Sequence, residues 1–399
     1  MAAYLSAQEV CDRLGIKEAT LYAYVSRGLI RSEIESQSSR KRRYLAEDVD
    51  KLLDRKEQRR DPSKVVEDAL HWGVPLLDSS ITLIADNHLY FRGYDAATLA
   101  REQSLESVAA LMWLDDVTAA SDLFAQPLPA VDFTAISALK LPFMPAVQIA
   151  LTLASTQDFA AYDLTPLAVA RTGARILKLM TAALISQPDP SRQNLAEMLA
   201  TAWSPQAAFL LNAALVLCAD HELNVSSFTA RVVASAESNP YAVVQAGLAA
   251  LQGFKHGGHT TRVTAFFREV GQVNRVQQAV AERLRRGDEA SGFGHRLYPD
   301  GDPRARALLS LIAEHLPDSP TLVLAQSIAD TVARMTGKLP TIDFALATLE
   351  IALSLPDGAA LALFALGRTV GWIGHAIEQY HSSQIIRPRA RYSGRPPTT

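Results

Sequence analysis

The chain has 399 residues, 48% of them hydrophobic and 20% charged, a globular composition that excludes a disordered chain and suits two to three domains. Lys and Arg total 39 against 42 Asp and Glu, a net charge of −3, so no global basic excess points to nucleic acid, though a local patch still can. The two cysteines, Cys11 and Cys218, are far apart and form no CxxC, which excludes a disulfide framework and a cysteine-based zinc site.

Residues 1–60 differ from the rest. Ser6-Ala-Gln-Glu9 is a capping box, in which each side chain satisfies a free N–H at a helix start. Val10 and Leu14 follow at helical spacing, and Gly15 can end the helix in the left-handed conformation. Lys17 to Arg27 predicts a second helix closed by Gly28, completing a helix-turn-helix outline. Residues 29–44 read as extended and contain the basic run Arg40-Lys41-Arg42-Arg43. Leu45, Val49, Leu52 and Leu53 share one face of a predicted third helix, which ends at the linker Arg59-Arg-Asp-Pro62. The start, Met1-Ala-Ala-Tyr4, has no cationic segment leading into an apolar one, so no signal peptide and a cytoplasmic location are expected.

A hairpin follows. Ile81-Thr-Leu-Ile84 and His88-Leu-Tyr-Phe91 flank the turn residues Asp86-Asn87. Beyond Tyr94 strand signals nearly vanish. Stretches 164–184, 195–220, 241–254, 262–287, 303–315, 320–336 and 343–380 are rich in Ala and Leu with helical periodicity, and several are apolar enough to be fully buried. The apolar run Ala207–Ala219 is interrupted by Asn212 and is too short to span a bilayer, so no membrane partner is expected. The tail from Arg387 is basic and reads as extended.

Polar residues interrupt this helical text in four places: Asp220-His221-Glu222-Leu-Asn224-Val-Ser226, Lys255-His256-Gly-Gly-His259, Gly292-Phe293-Gly294-His295 through Arg304, and Thr341-Ile-Asp343. Arg368 and Arg387 follow. A carboxylate among apolar residues can act as a base, imidazoles can donate to a developing oxyanion, and guanidinium forks bind carboxylates through two oxygens. The set suits proton abstraction beside a carbonyl in a small polycarboxylate site. Blander readings stand beside it. Any one histidine reads more readily as a core or surface residue, and Arg368 and Arg387 as surface cations. His256 and His259 have HxxH spacing but no further ligand nearby, so no metal is expected. No strand precedes Gly292-Phe293-Gly294, so it reads as a tight turn and not a dinucleotide loop.

Together these segments resemble the citrate synthase family, in family order, over roughly residues 64–399. Ser79 to Ile84 with Tyr90 to Asp95, Ala219 to Ser226, Lys255 to Gly258, Gly292 to Tyr298 with Asp302-Pro-Arg304, Ile342-Asp-Phe344, Gly367 to Trp372 and Arg387-Pro-Arg389 carry the likeness. The resemblance implies a mainly α fold, a homodimer, and an active site between a large domain (64–252 and 353–399) and a small domain (253–352). It implies that Asp343 takes a methyl proton from acetyl-CoA, that His256 donates to the enolate oxygen as a neutral imidazole, and that His295 polarises the oxaloacetate ketone. His221, Asn224, Arg304, Arg368 and Arg387 of the partner subunit are then the oxaloacetate ligands, with Gly292, Phe293 and Gly294 toward CoA. Acetyl-CoA is a substrate, and no cofactor is expected. Three positions depart from the family: His259-Thr260 where Ala-Asn is common, Pro299 where a cation for CoA is usual, and Thr341 where Asn is common. All three leave open an altered acyl-CoA preference, with propionyl-CoA and 2-methylcitrate as the alternative.

Residues 1–60 resemble a MerR or excisionase-type winged helix-turn-helix, through Tyr4 to Val10, Thr20 to Tyr24, Arg27 to Ile30 and Arg43-Tyr44. That resemblance implies a recognition helix carrying Thr20 and Tyr22, and a wing of Arg40, Lys41, Arg42 and Arg43 on phosphates. Glu33, Glu35, Glu47 and Asp48 balance this charge, so protein contact or dimer assembly is the competing role. A DNA-binding regulator with a synthase-like sensing body is the alternative from another functional class.

Overall fold

A computed structural model describes residues 4–26, 29–34, 42–46, 48, 49, 52, 77–185 and 194–396. The chain divides into two units, 1–78 and 79–399.

In the first unit, strand β1 (Tyr4–Leu5) leads into helices Ala7–Leu14 and Glu18–Ser26, then strands β2 (Ser32–Ile34) and β3 (Arg42–Leu45). The sheet is antiparallel with order β1-β3-β2. The capping box is formed, with Ser6 N donating to Glu9 Oε2 at 2.7 Å and Gly15 closing the helix at φ 58°. Val10, Leu14, Leu21, Ile30, Tyr44 and Val49 make the core. One expectation is corrected here. Leu45 belongs to β3, because its backbone pairs with Tyr4, and residues 46, 48, 49 and 52 are helical after it. Gly28, Arg40, Lys41, Leu53 and the Arg59–Pro62 linker lie outside the described residues.

The second unit opens with the expected hairpin. Strands β4 (Thr82–Ala85) and β5 (His88–Phe91) are joined through Asp86 and Asn87 at φ 50° and 60°, a left-handed backbone that these short polar side chains tolerate. A third strand, β6 (Tyr94–Asp95), extends the sheet, and Asp95 caps the helix that follows. The remainder is helical. Three long predicted stretches are each broken in two. Pro205 separates Leu195–Trp203 from Ala208–Leu217, and Gly271 at φ 69° separates His259–Val270 from Val276–Arg285. Pro356-Asp-Gly358 separates Ile342–Ala352 from Ala359–Ser382. Asn212 is tolerated in an apolar helix because its side chain accepts from Leu105 N and donates to Gln103 O.

The Ala359–Ser382 helix is the spine. By length and composition it could cross a membrane, yet 94% of its apolar window is buried inside the unit. Helices Leu105–Leu114, Pro166–Ile185, Ala208–Leu217, Val225–Ala234 and Pro240–Leu251 pack around it. Close approach needs glycine at two points. A Cβ on Gly247 would lie 2.5 Å from the Trp372 ring, and one on Gly371 would lie 2.3 Å from Asp220 Oδ1. A second, smaller apolar cluster gathers Val263, Phe266, Phe293, Ile328 and Phe344. The Ile342–Ala352 helix serves both clusters, giving Ile342, Ala345 and Leu349 to the large one and Phe344 and Ala347 to the small one. Asp343 therefore sits in the first turn of a helix wedged between two cores.

Candidate active site

The spine positions the first signature. Arg368 Nε donates to Cys218 O at 2.9 Å, and Gly371 N donates to Ala219 O at 2.9 Å. Asp220 is fully buried and accepts from Thr82 Oγ1 at 2.6 Å, with His375 Nε2 at 3.3 Å. Burial opposes its ionisation, but His375 and Arg368 hold its carboxyl below the usual range. These bonds tie the 218–220 segment to the spine and the hairpin, and so aim His221.

Three imidazoles are kept neutral. His221 Nε2 lies 3.0 Å from Tyr298 Oη, and its ring stands edge-on to His295 at 5.2 Å. Burial, then the nearby Arg304, holds His221 well below the ordinary histidine value. Burial followed by Arg304 lowers His295 to about 4. Burial followed by Arg368 lowers His256 to about 3. A neutral imidazole can donate from one nitrogen while accepting at the other.

His256 Nε2 lies 2.8 Å from Ser226 Oγ, inside a closed polar knot. Ser226 is fully buried and receives the Trp372 Nε1–H at 3.1 Å; its Oγ also lies 2.8 Å from Asn224 Oδ1, so its single hydrogen goes either there or to His256 Nε2. Asn224 is itself the N-cap of Val225–Ala234, accepting from the N–H groups of Ser226 and Ser227. Nδ1 is the His256 nitrogen left for a ligand.

The two buried arginines differ in what they leave available. Arg304 forks onto Asp302, with Nε to Oδ1 at 3.0 Å and Nη2 to Oδ2 at 2.8 Å. Asp302 also accepts from Ile342 N at 3.0 Å, which pins the start of the Asp343 helix to the same ion pair. Arg368 is 1% exposed, and its Nη2 is buried without a hydrogen-bond partner. Burial lowers Arg368 to about 10, so it stays cationic at neutral pH. An orphaned guanidinium nitrogen in a buried site is costly unless an anion completes it.

Burial pushes the Asp343 carboxyl above its ordinary range, while His259 and Arg304 pull the other way. A raised carboxyl is a stronger base than an exposed one. Thr341 Oγ1 donates to Asp343 Oδ2 at 3.3 Å.

The expected residues thus divide. His221, His256, His295, Arg304, Arg368 and Asp343 act on one another electrostatically in one cluster, in which His221, Arg304 and Arg368 are buried and His256, His295 and Asp343 are half-buried. Asn224 stands behind His256. Gly292, Phe293 and Gly294 run antiparallel to residues 339–341, just ahead of Asp343. The Phe293 ring is part of the core. It is 7% exposed and packs on Phe344 with centroids 4.8 Å apart, because the left-handed glycines on either side turn it inward. Arg387 is exposed in the extended tail. Thr20 is half-buried and Tyr22 is 55% exposed on the second helix of the first unit. Arg42 donates to Ser32 Oγ, while Arg43 pairs with Glu33 and lies over the Tyr4 ring.

Sequence reasoning missed roles for Tyr298, Asp302, Trp372 and His375. The first three lie inside quoted motifs, and the DPR spacing of Asp302 with Arg304 is a local signal for their fork. The partners of Trp372 and His375 gave no local signal, since they are about 150 residues away. Among the described residues, no three His, Cys, Asp or Glu are grouped to hold a metal ion.

The family model "Citrate synthase, C-terminal domain" matches residues 69–389. The chain belongs to the citrate synthase family. It is thereby an acyl-transferring enzyme. Citrate synthase 2 of Bacillus subtilis is 29% identical over 351 residues, covering 81% of this chain and 94% of that protein. 2-Methylcitrate synthase 2 of Corynebacterium glutamicum is 27% identical, covering 77% and 89%. The crystal structure of citrate synthase from Thermotoga maritima MSB8 superposes with a TM-score of 0.68 at 28% identity, covering 82% of this chain and 96% of that one. A helix-turn-helix domain model matches residues 4–57.

Proposed function

We propose that the protein condenses acetyl-CoA with oxaloacetate to give citrate and CoA, with no bound cofactor. The observation that carries this reading is Arg368, a buried cation with an unpartnered Nη2 among three neutral imidazoles and a half-buried carboxylate. Such a site takes a small polycarboxylate and does proton chemistry beside it. Arg304 and Arg368 neutralise the carboxylates of oxaloacetate, and His221 and His295 face its carbonyl end. Asp343 removes a methyl proton from the thioester, and Nδ1 of His256 donates to the enolate oxygen as it forms. For that Nδ1–H to exist, Ser226 turns its single hydrogen to His256 Nε2; Asn224 Oδ1 then keeps the Ser226 and Ser227 N–H groups. The enolate carbon bonds to the ketone carbon, the ketone oxygen takes a proton, and water cleaves the citryl thioester.

The residues of this proposed site come from segments 218–226, 256–259, 292–304, 341–343 and 368, with the large domain at 64–252 and 353–399 and the small domain at 253–352. As a dimer, Arg387 of the partner subunit completes the carboxylate set. The test is thiol release from each acyl-CoA with oxaloacetate. Asp343→Asn is expected to lose roughly 10²–10⁴-fold in turnover, the contribution of a general base. Unchanged turnover in that variant overturns the assignment. One extra methylene discriminates by only about 1–3 kcal/mol, so acetyl-CoA and propionyl-CoA are put in direct competition. Preference for propionyl-CoA replaces citrate with 2-methylcitrate as the product.

The helix-turn-helix match supports a second, compatible reading in which the first unit contacts DNA through Thr20, Tyr22 and the Arg42 side of its wing. Binding is then expected to weaken steeply as salt rises. Equal, weak retention of unrelated sequences at all salt concentrations would assign the unit to protein contact instead.

A further inference from the structure

His259 is one of the three positions at which the sequence departs from the family pattern, and its surroundings are specific. Its ring Nε2 accepts the Gly292 N–H at 3.0 Å. Its backbone N–H donates to His256 O at 2.9 Å. One residue therefore touches both the segment that carries the enolate donor and the segment that leads to the base.

The second contact passes on to Asp343 through a short ladder. Gly292 O accepts from Thr341 N at 2.8 Å, Phe293 bridges to Pro340, and Gly294 N donates to Leu339 O at 2.8 Å. Thr341 then donates to the Asp343 carboxylate. Gly292 has φ +87°, and a Cβ there would lie 3.0 Å from Val263 and 3.1 Å from Phe344, so only glycine fits this tightly packed place. Two hydrogen bonds fix its backbone in addition to that packing. The 339–341 strand holds its carbonyl, and His259 holds its N–H.

We propose that His259 is a positioning residue, a latch that fixes the 292–294 segment and through it the relation of Asp343 to His256. The latch needs a neutral ring with its hydrogen on Nδ1, because a donor at Nε2 would face the Gly292 donor. The catalytic part of this inference rests on the condensation reading above; the latch itself does not.

The full chain with His259→Ala and His259→Gln tests it. A Gln carbonyl oxygen can take the place of Nε2 as acceptor, whereas Ala supplies none. Amide hydrogen exchange of the peptide spanning 290–298 is expected to quicken roughly tenfold in His259→Ala, about the worth of one hydrogen bond, and to return to normal in His259→Gln. The kcat for thiol release is expected to fall roughly tenfold in the Ala variant, with KM for oxaloacetate within about twofold, and to recover in the Gln variant. Unchanged exchange in the Ala variant overturns the latch. Altered exchange with unchanged kcat overturns its catalytic role. Failure of Gln to restore either quantity, in a protein with a normal melting transition, assigns His259 to packing. If the unmodified protein releases no thiol, the condensation reading fails, and the exchange measurement still decides the latch.

Discussion

Replacing Ser226 with Ala removes one oxygen that three side chains share. Two losses follow, and they can be measured separately. The Trp372 indole N–H is wholly buried and donates only to this oxygen, so Ser226→Ala leaves it orphaned. An unsatisfied buried donor costs about 1–3 kcal/mol of stability. Asn224 loses little, since its Oδ1 keeps two backbone donors. His256 loses the partner of its Nε2, and with it the donor that, in the proposed mechanism, leaves hydrogen on Nδ1. One hydrogen bond of about 1–1.5 kcal/mol corresponds to roughly a tenfold change in rate. Urea unfolding reads the first loss, and thiol release at saturating oxaloacetate and acetyl-CoA reads the second. The expected result is a lower unfolding midpoint together with a roughly tenfold lower kcat and a nearly constant oxaloacetate KM. A kcat within about twofold of the unmodified enzyme, alongside the stability loss, would show that Ser226 only supports Trp372 and would refute its role in placing the imidazole proton.

Asp302→Asn leaves the Arg304 cation buried without its counter-charge, which is expected to cost about 3–5 kcal/mol; a loss below about 1 kcal/mol in urea titration contradicts the fork as the site's anchor. His295 and His256 have folded values of about 4 and about 3, both below the ordinary histidine value of about 6.5. The unfolded chain therefore binds protons that the folded chain refuses, so this stability is complete above about pH 6.5 and falls as pH drops toward about 4 and then about 3. His295→Gln is expected to flatten part of that fall, and an identical pH profile of urea midpoints would count against a neutral buried ring. Gly371→Ala drives a methyl into Asp220 Oδ1 and Ala219 O, at 2.3 and 2.6 Å. It is expected to cost about 1–3 kcal/mol in thermal unfolding and to lower turnover, because the displaced loop carries His221; an unperturbed melting curve would show that the spine and this loop are not in forced contact.

Much of the architecture was readable locally. Ser6 and Glu9 form a cap within one turn, and Asp86-Asn87 form a turn between adjacent strands, so each signal and its consequence lie a few residues apart. Helix breaks were less readable, because apolar periodicity continues across Pro205, Gly271 and the 356–358 turn on both sides. Leu45 misled for a similar reason: its spacing fits a helical face, but pairing with Tyr4 made it a strand residue. At the site, His221, His256, His295, Arg304, Arg368 and Asp343 stood out as polar residues in apolar text. Their supports did not. Trp372 looks like any core aromatic, and His375 like any helical histidine, until the fold brings Ser226 and Asp220 against them.

By itself, then, the sequence determined most element types, the mainly helical class, the family and the candidate site residues, because periodicity, caps and motif residue types are written within short windows. Tertiary structure decided which of those groups share a cluster, which protonation state each holds, and which hydrogen bonds remain open for a substrate. It turned Phe293 into the core, left Arg387 exposed, kept three imidazoles neutral and left Arg368 Nη2 unpartnered. The physical reason is that burial and through-space charge set these properties. Both arise only when segments 218–226, 256–259, 292–304, 341–343 and the 359–382 spine pack against one another.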